Sequence, residues 1–422
     1  MKDGGWSACV LGEFNAYLAS AAKRSEAMVT PGVLRDAHHT LDRAARLFKG
    51  GPGVLALLGG RDLLASWAGQ RGALDSAGWT CTAVESWTTW RRRDAPAVHV
   101  AMLGTIEPTP LFNPLDDPRT IAVQLAWYAD VMGGEYLMTP GVAGHVAIKA
   151  AFKGKREPYW GLKDIRRDGD ERQGSGDLLW RRAPLKTEFA EGYVHGFDLR
   201  AARLAALGVV EVAWTKLEPT GQVAYDPDRA GYWLIPPPPQ HKRHPPIVNP
   251  DSVHDRLAWV TGPIMADLAR RNILPDVIDS WTGVAKRPFR TIAERWDAAR
   301  LATIEQRGAA MTCAHDAVKA TYREAAGLMA RPGGSIYRPD WYHATMDRQR
   351  VTVLSHAERI AKTHERRPLA IHTDCLWYAS TESDPEKAAD RLGIKLGHRL
   401  GCFDVKSSAT TAEFFKAKAG AR

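Results

Sequence analysis

Residues 369–380, LAIHTDCLWYAS, are the stretch that most restricts how this chain can fold. An apolar run, the tetrapeptide His-Thr-Asp-Cys and a second apolar-aromatic run follow one another without a break. The pattern predicts a β-hairpin with a polar tip, because two strand-forming runs flank a short turn that aspartate tolerates. Leu369 and Ile371, with Leu376 and Tyr378 across the hairpin, can pin it to a core. The hairpin carries one carboxylate, Asp374, at its tip. Taken alone, an aspartate in a tight turn needs no further explanation.

The rest of the C-terminal half alternates between strands and helices. Strands are predicted at 193–198, 209–214, 231–235 and near 402–406. Helices are predicted at 199–207, near 252–272, at 291–306 and 313–330, and from an N-cap at Asp340 to about 363. This is an α+β pattern rather than a strict βαβ series.

The 422 residues suffice for two or three domains. Residues 1–75 read as an N-terminal helical module. VLRDAHHTLDRAARLF spaces Val33, Leu34, Leu41, Ala44 and Leu47 along one face, GGPG interrupts, and VLALLGGRDLLASWAG resumes. Residues 76–190 read as an α/β region, with strands in AVESWTTWRRR and APAVHVAML and a helix in DPRTIAVQLAWYADVMGG. TPGVAGHVAIKAAF fits a strand or a helix, and a basic, glycine-rich loop fills 151–190. Residues 191–422 form the last region, interrupted by IPPPPQHKRHPPIVNP, a stiff polyproline loop with a basic cluster.

The net charge is +9, from 57 Lys and Arg against 48 Asp and Glu, with clusters such as Arg91-Arg92-Arg93, Arg181-Arg182 and Arg366-Arg367. A basic balance of this kind favours a polyanionic partner, most often nucleic acid, over a set of merely solvated faces. The five cysteines are scattered without a Cys-x-x-Cys pair, which argues against structural zinc and against a disulfide framework. The expected setting is cytoplasmic and nucleoid-associated. No apolar signal core opens the chain, and no run of about 18 apolar residues is present to span a membrane.

Two further segments bear on chemistry. In YVHGFDLRAARLAAL, Asp198 ends a short strand just before an Ala-rich helix. A carboxylate there can bind a divalent metal or simply cap the helix. In AVKATYREAAGLMA, Lys319, Arg323 and Gly327 fall at i, i+4 and i+8 on a helix. That cationic stripe suits a triphosphate, or it is an ordinary solvated face.

In order and spacing, these three segments resemble the polymerase motifs of the family-B DNA polymerases. Asp198 matches the aspartate of the first motif, Asp-x-x-Ser-Leu-Tyr-Pro. Lys319 and Gly327 match the ends of the second, Lys-x-x-x-Asn-Ser-x-Tyr-Gly. Thr373 and Asp374 match the middle of the third, Asp-Thr-Asp-Ser. LGHRLGCFDVKSS looks like the basic strand that follows the palm in that family. The resemblance implies a palm and fingers core, a reduced thumb and a two-metal mechanism with Mg²⁺ or Mn²⁺. Asp198 and Asp374 would be the catalytic metal ligands, and Lys319, with Arg323, would bind the incoming deoxynucleoside triphosphate.

The departures are specific. His372 stands where the first aspartate of the third motif is expected. Arg203 stands where the first motif has the tyrosine that lies beneath the sugar. Arg323, Glu324 and Ala326 replace the Asn, Ser and Tyr of the second. The expected Asp-x-Glu strand of a proofreading domain is missing from 76–190, so that region reads as an inactive, degenerate exonuclease-like fold.

Separated blocks between residue 95 and about 405 also look like the actinobacterial telomere-associated proteins of linear replicons. That resemblance implies binding to single-stranded 3′ ends and to a terminal, priming protein. Two readings follow. One is a DNA polymerase, protein-primed and non-proofreading, that acts on template-primer DNA at the ends of linear molecules. The other is a non-catalytic telomere or single-stranded-DNA-binding protein with a degenerate polymerase core that recruits the terminal protein. Apart from both resemblances stands a reading as an unrelated nucleotide-binding enzyme whose aspartates coincide with these motifs.

Overall fold

The computed structural model describes residues 8–11, 16–20, 25–29, 37–47, 53–57, 67, 69–84, 87–102, 118–133, 136, 139–152, 178–239, 243–305, 308–332 and 336–417. Contacts divide the chain into two units, residues 1–150 with 295–325, and residues 151–294 with 326–422.

The first unit is built on strands β1 (Ala8–Leu11), β2 (Ala16–Ser20) and β3 (Ser25–Val29), helix α1 (Ala37–Leu47), β4 (Gly53–Leu57), α2 (Arg71–Ser76), β5 (Thr80–Val84), β6 (Trp87–Arg92) and β7 (Ala95–Met102). Helices α3 (Pro118–Met132) and α4 (Pro140–Phe152) follow. The strands form one seven-stranded sheet in the order β3-β2-β1-β4-β7-β6-β5. Its middle is parallel, β4 pairing with β1 on one side and β7 on the other. Helix α1 packs on β4 and β7, and α3 packs on β1 and β2. Leu41, Leu55, Trp79, Val98 and Val100 share its core.

The helical module expected over 1–75 is therefore corrected. Only α1 and α2 are helices of more than a few residues there among the described residues, and the same span supplies four strands. VLALL misled because a short apolar run buried in a parallel sheet cannot be told from a helix segment by periodicity. TPGVAGHVAIKAAF is the helix α4.

The second unit contains β8 (Leu179–Arg181), α5 (Lys186–Phe189), β9 (Tyr193–Leu199), α6 (Ala202–Val209), β10 (Val212–Ala213), β11 (Glu218–Pro219), β12 (Arg229–Ile235), β13 (Val253–His254), β14 (Leu257–Thr261), α7 (Gly262–Arg270) and β15 (Asp279–Lys286). Helix α8 (Arg290–Glu305) begins in this unit and α9 (Ala309–Leu328) ends in it, but both lie mostly in the first. Then come α10 (Pro339–His364), β16 (Ala370–His372), β17 (Cys375–Ser380), α11 (Pro385–Arg391), β18 (Phe403–Thr410) and α12 (Thr411–Ala417). Two sheets result. One is β10-β15-β12-β14-β13 with β11 added on β15, and the other is β18-β9-β17-β16-β8.

The helix expected near 252–272 is instead a β13–β14 hairpin running into α7, and β15 was not anticipated. Asp340 does not cap α10. Arg338 occupies the cap position, and Asp340 ion-pairs with its buried guanidinium at 2.7 Å. Of the loop expected over 151–190, residues 153–177 lie outside the described residues, and the remainder includes β8 and α5. Arg182, expected in an exposed basic cluster, is buried and clamps Glu188 at 2.6 Å. Among the described residues no helix is long and apolar enough to cross a membrane.

Candidate active site

The five-stranded sheet of the second unit is antiparallel throughout, and its two faces differ. Phe197 and Leu199 of β9 and Leu376 and Tyr378 of β17 share a core with Val353, Leu354, Ala357 and Ile360 of α10. Side chains alternate along a strand, so Asp198, between Phe197 and Leu199, points to the other face. Cys375 stands directly opposite Asp198 in the β17 register, and Asp404 opposite it in β18. Gly196, two residues back on the same face, leaves room for Trp377, since a Cβ there would sit 2.9 Å from its ring. Local packing thus fixes β9 beside the hairpin.

The hairpin of β16 and β17 turns through Thr373 and Asp374. Thr373 adopts a left-handed φ of 58°, a conformation that a β-branched residue rarely takes. Two backbone bonds hold it. The Thr373 N–H donates to the Leu178 carbonyl at 2.8 Å, and the Asp374 carbonyl accepts from the Leu199 N–H at 3.0 Å. The second bond ties the tip directly to the residue after Asp198. The structure therefore brings the two predicted aspartates together from separate strands.

Their electrostatics record the convergence. Burial, and then the negative charge of Asp198, push the Asp374 carboxyl up to about 6, against the opposing pull of Lys406 and Arg203. Lys406 Nζ donates to Asp198 Oδ1 at 2.9 Å. Burial disfavours the Lys406 charge, but the hydrogen bond and charge of Asp198 outweigh it and raise its pKa. Beside them Arg200 pairs with Asp404 at 2.7 Å.

Lys406 was not singled out from the sequence. Its strand was noticed as basic, but the register that aims it at Asp198 depends on a bulge between Val405 and Ser407. Arg203, on α6, is half-buried, and its positive charge acts on Asp374. His372 pairs with Cys375 and Leu179, its ring tilted 6.0 Å from that of Trp377. Lys319, Arg323 and Gly327 do lie along one face of α9, with Arg323 and Gly327 exposed and Lys319 half-buried. A side chain at Gly327 would meet nothing within 4 Å, so no packing within the chain accounts for a glycine there. Lys319 and Arg323 belong to the first unit and the aspartates to the second.

The donor set fits a hard divalent cation. Two oxygen-only ligands converge at the hairpin end of the sheet, and their mutual repulsion is what a bound cation relieves. Among the described residues no group of three or more acidic, His or Cys side chains is arranged to hold a metal ion. The aspartates would thus leave positions for backbone carbonyls, water or phosphate oxygens, as suits Mg²⁺.

No protein-family model matches the chain, and no curated protein does. Among solved structures it is similar to phi29 DNA polymerase complexed with primer-template DNA and incoming nucleotides. That match has 13% identity and a TM-score of 0.51 and covers 97% of this chain and 85% of that one. The chain has the fold of a DNA polymerase. Phi29 DNA polymerase complexed with single-stranded DNA aligns at 11% identity and TM-score 0.47 over 94% of this chain and 81% of that one. A family B DNA polymerase from the archaeon Pyrobaculum calidifontis aligns at 13% and 0.40 over 94% of this chain and 53% of that one. Identity this low speaks to the fold alone, so the chemistry rests on the residues.

Proposed function

We propose that the chain is a family-B-type DNA polymerase that carries out template-directed nucleotidyl transfer. The observation that supports it most is the meeting of Asp198 and Asp374 on one face of the sheet, with Asp374 raised by burial and by its neighbour. Asp198 and Asp374 would hold Mg²⁺ or Mn²⁺, which supplies charge stabilisation at the attacking and leaving oxygens when bound. Lys406 fixes the Asp198 carboxylate in one orientation through its 2.9 Å bond. Arg203 offers a second positive charge near Asp374, suited to a phosphate oxygen. Lys319 and Arg323 would neutralise the triphosphate of the incoming nucleotide, and Gly327 would leave room for it or for the template.

The region 76–190, read as a degenerate proofreading domain, contributes β5, β6 and β7 to the seven-stranded sheet, and these three strands carry no acid; the one acid on the sheet's described strands is Glu26. Priming from a terminal protein at the ends of linear DNA, with actinobacterial telomere proteins as relatives, remains part of this proposal through the sequence resemblance. Primer extension with Mg²⁺ or Mn²⁺ tests it. Wild type should extend a primed template, and Asp198→Asn and Asp374→Asn should not. Equal extension by the variants would sink the metal assignment.

One observation favours a second reading. Lys406 already supplies an internal cation to Asp198, and His372 stands where the polymerase motif has an aspartate. A degenerate core that binds single-stranded ends and recruits a terminal protein would show salt-sensitive DNA binding and no incorporation with either metal.

A further inference from the structure

A cavity of about 400 Å³ lies between α7 and α10 in the second unit. It is on the helix-covered side of the five-stranded sheet. His356, in its wall, meets the ring of Phe403 edge-on at 5.1 Å, and Phe403 belongs to the core shared with α10. The cavity is thus distinct from the aspartate pair, which faces the other way.

Its lining is cationic. Helix α10 contributes Arg348, His356 and Arg359, spaced to share a face, and α7 contributes Arg270 and Asp267. Asp267 is the one lining carboxylate, and it is fully engaged. Its oxygens take Arg270 at 2.6 Å and Arg271 at 2.8 Å, and its side chain has no exposure.

The α10 cations are not matched in this way. The Arg348 side chain makes no hydrogen bond among the described residues, and its Nε is out of solvent. Of the acids acting on it, Glu211 is ion-paired to Arg287 at 2.9 Å and Asp267 is taken by Arg270 and Arg271. His356 Nδ1 is likewise buried without a partner. Arg359 reaches only the Gly393 carbonyl, at a long 3.4 Å. Buried donors of this kind are normally satisfied, and guanidinium forks suit tetrahedral oxyanions. Apart from the His356 imidazole, the lining has no ring to stack a base.

We propose that this cavity binds a small phosphate anion, the chemistry shared by inorganic phosphate, pyrophosphate and the phosphate tail of a free nucleotide. Arg348 and Arg359 hold its oxygens, and His356 donates from Nδ1. The site needs no divalent metal, which separates it from the aspartate pair.

Calorimetric titration of the full chain in EDTA with phosphate, pyrophosphate and dATP tests this and distinguishes the three sources. At least one should bind saturably at a single site. Arg359→Gln, an exposed change, should weaken that binding about tenfold, and Arg348→Met at least as much, in keeping with charge-assisted bonds. Asp374→Asn should leave it unchanged. If Arg348→Met melts early, Arg359→Gln decides alone. Absence of saturable binding by all three would overturn the proposal. So would an affinity unmoved by Arg359→Gln, or binding by single-stranded DNA only.

Discussion

The seven-stranded sheet of the first unit and the five-stranded sheet of the second show what pairing direction does to chemistry. The first has a parallel middle, and its central strands read ACVL and GVLAL. Parallel sheets are covered on both faces, so such strands are continuous apolar runs. The second sheet is antiparallel, with α10 on one face and a smaller cluster of Val194, Cys375, Trp377 and Phe414 on part of the other. An antiparallel sheet can leave the rest of such a face polar. Asp198, Asp404 and Lys406 occupy that remainder, whereas the first sheet has no carboxylate on its parallel strands. A difference in pairing therefore becomes a difference in where ionisable groups can collect.

The largest effects should come from the aspartates. Asp198→Asn and Asp374→Asn should each lower primer extension by about a thousandfold or more, since each removes charge aimed at the reacting phosphate. Glu26→Gln, the counterpart in the first sheet, should change neither extension nor the stability of a 3′-labelled single strand. Shortening of that strand by wild type and not by Glu26→Gln would break the contrast, because it would give the first sheet a catalytic acid.

How much of this was legible in the sequence follows the same division. Asp198 and Asp374 could be read because each sits in a short local pattern, a strand end before a helix and a hairpin turn. In the first sheet β6 and β7 could be read from WTTWRRR and APAVHVAML, but β1 to β4 could not, because β1 and β4 meet only through a long crossover and their apolar runs have no period of their own. Arg182 was misread for a related reason. Its neighbour Arg181 is exposed and lies over the Phe415 ring, 4.8 Å away. But Arg182 points inward, to Glu188 and to the carbonyls of Arg367 and Pro368, contacts no local pattern reveals. It fastens α5 to the start of the hairpin. Arg182→Met should cost about 3–5 kcal/mol, because it strands a buried carboxylate. Chemical denaturation checks this, and Arg182→Met with Glu188→Leu should recover much of the loss.

A smaller effect tests the packing behind the site. Gly196→Ala puts a methyl group against the Trp377 ring at 2.9–3.0 Å. Overpacking of this kind costs about 1–3 kcal/mol. The site should feel it, because β9 carries Asp198 and β17 begins one residue after Asp374. Extension should fall together with the midpoint of unfolding. A variant that loses stability but keeps full extension would show that Asp198 is positioned from the β18 side alone, through Lys406.

The smallest and most discriminating contrast is in pH. Asp374 is raised from 3.8 to about 6, by burial and then by Asp198. Its folded form holds a proton that the unfolded chain has released, so its contribution is full below about 4 and is lost as pH rises through about 6. His99, on β7 of the first sheet, is lowered from 6.5 to about 4, by burial and then by Arg91. Its contribution is full above 6.5 and is lost as pH falls toward 4. The two sheets should therefore respond with opposite slopes between pH 4 and 6. In EDTA, thermal melts of wild type minus Asp374→Asn should fall with rising pH, and wild type minus His99→Gln should rise. At pH 8 Asp374→Asn should melt above wild type, because the like charge beside Asp198 is gone. Equal melting there would mean that Lys406 already cancels the repulsion, which is the state expected of a core that no longer calls for a metal.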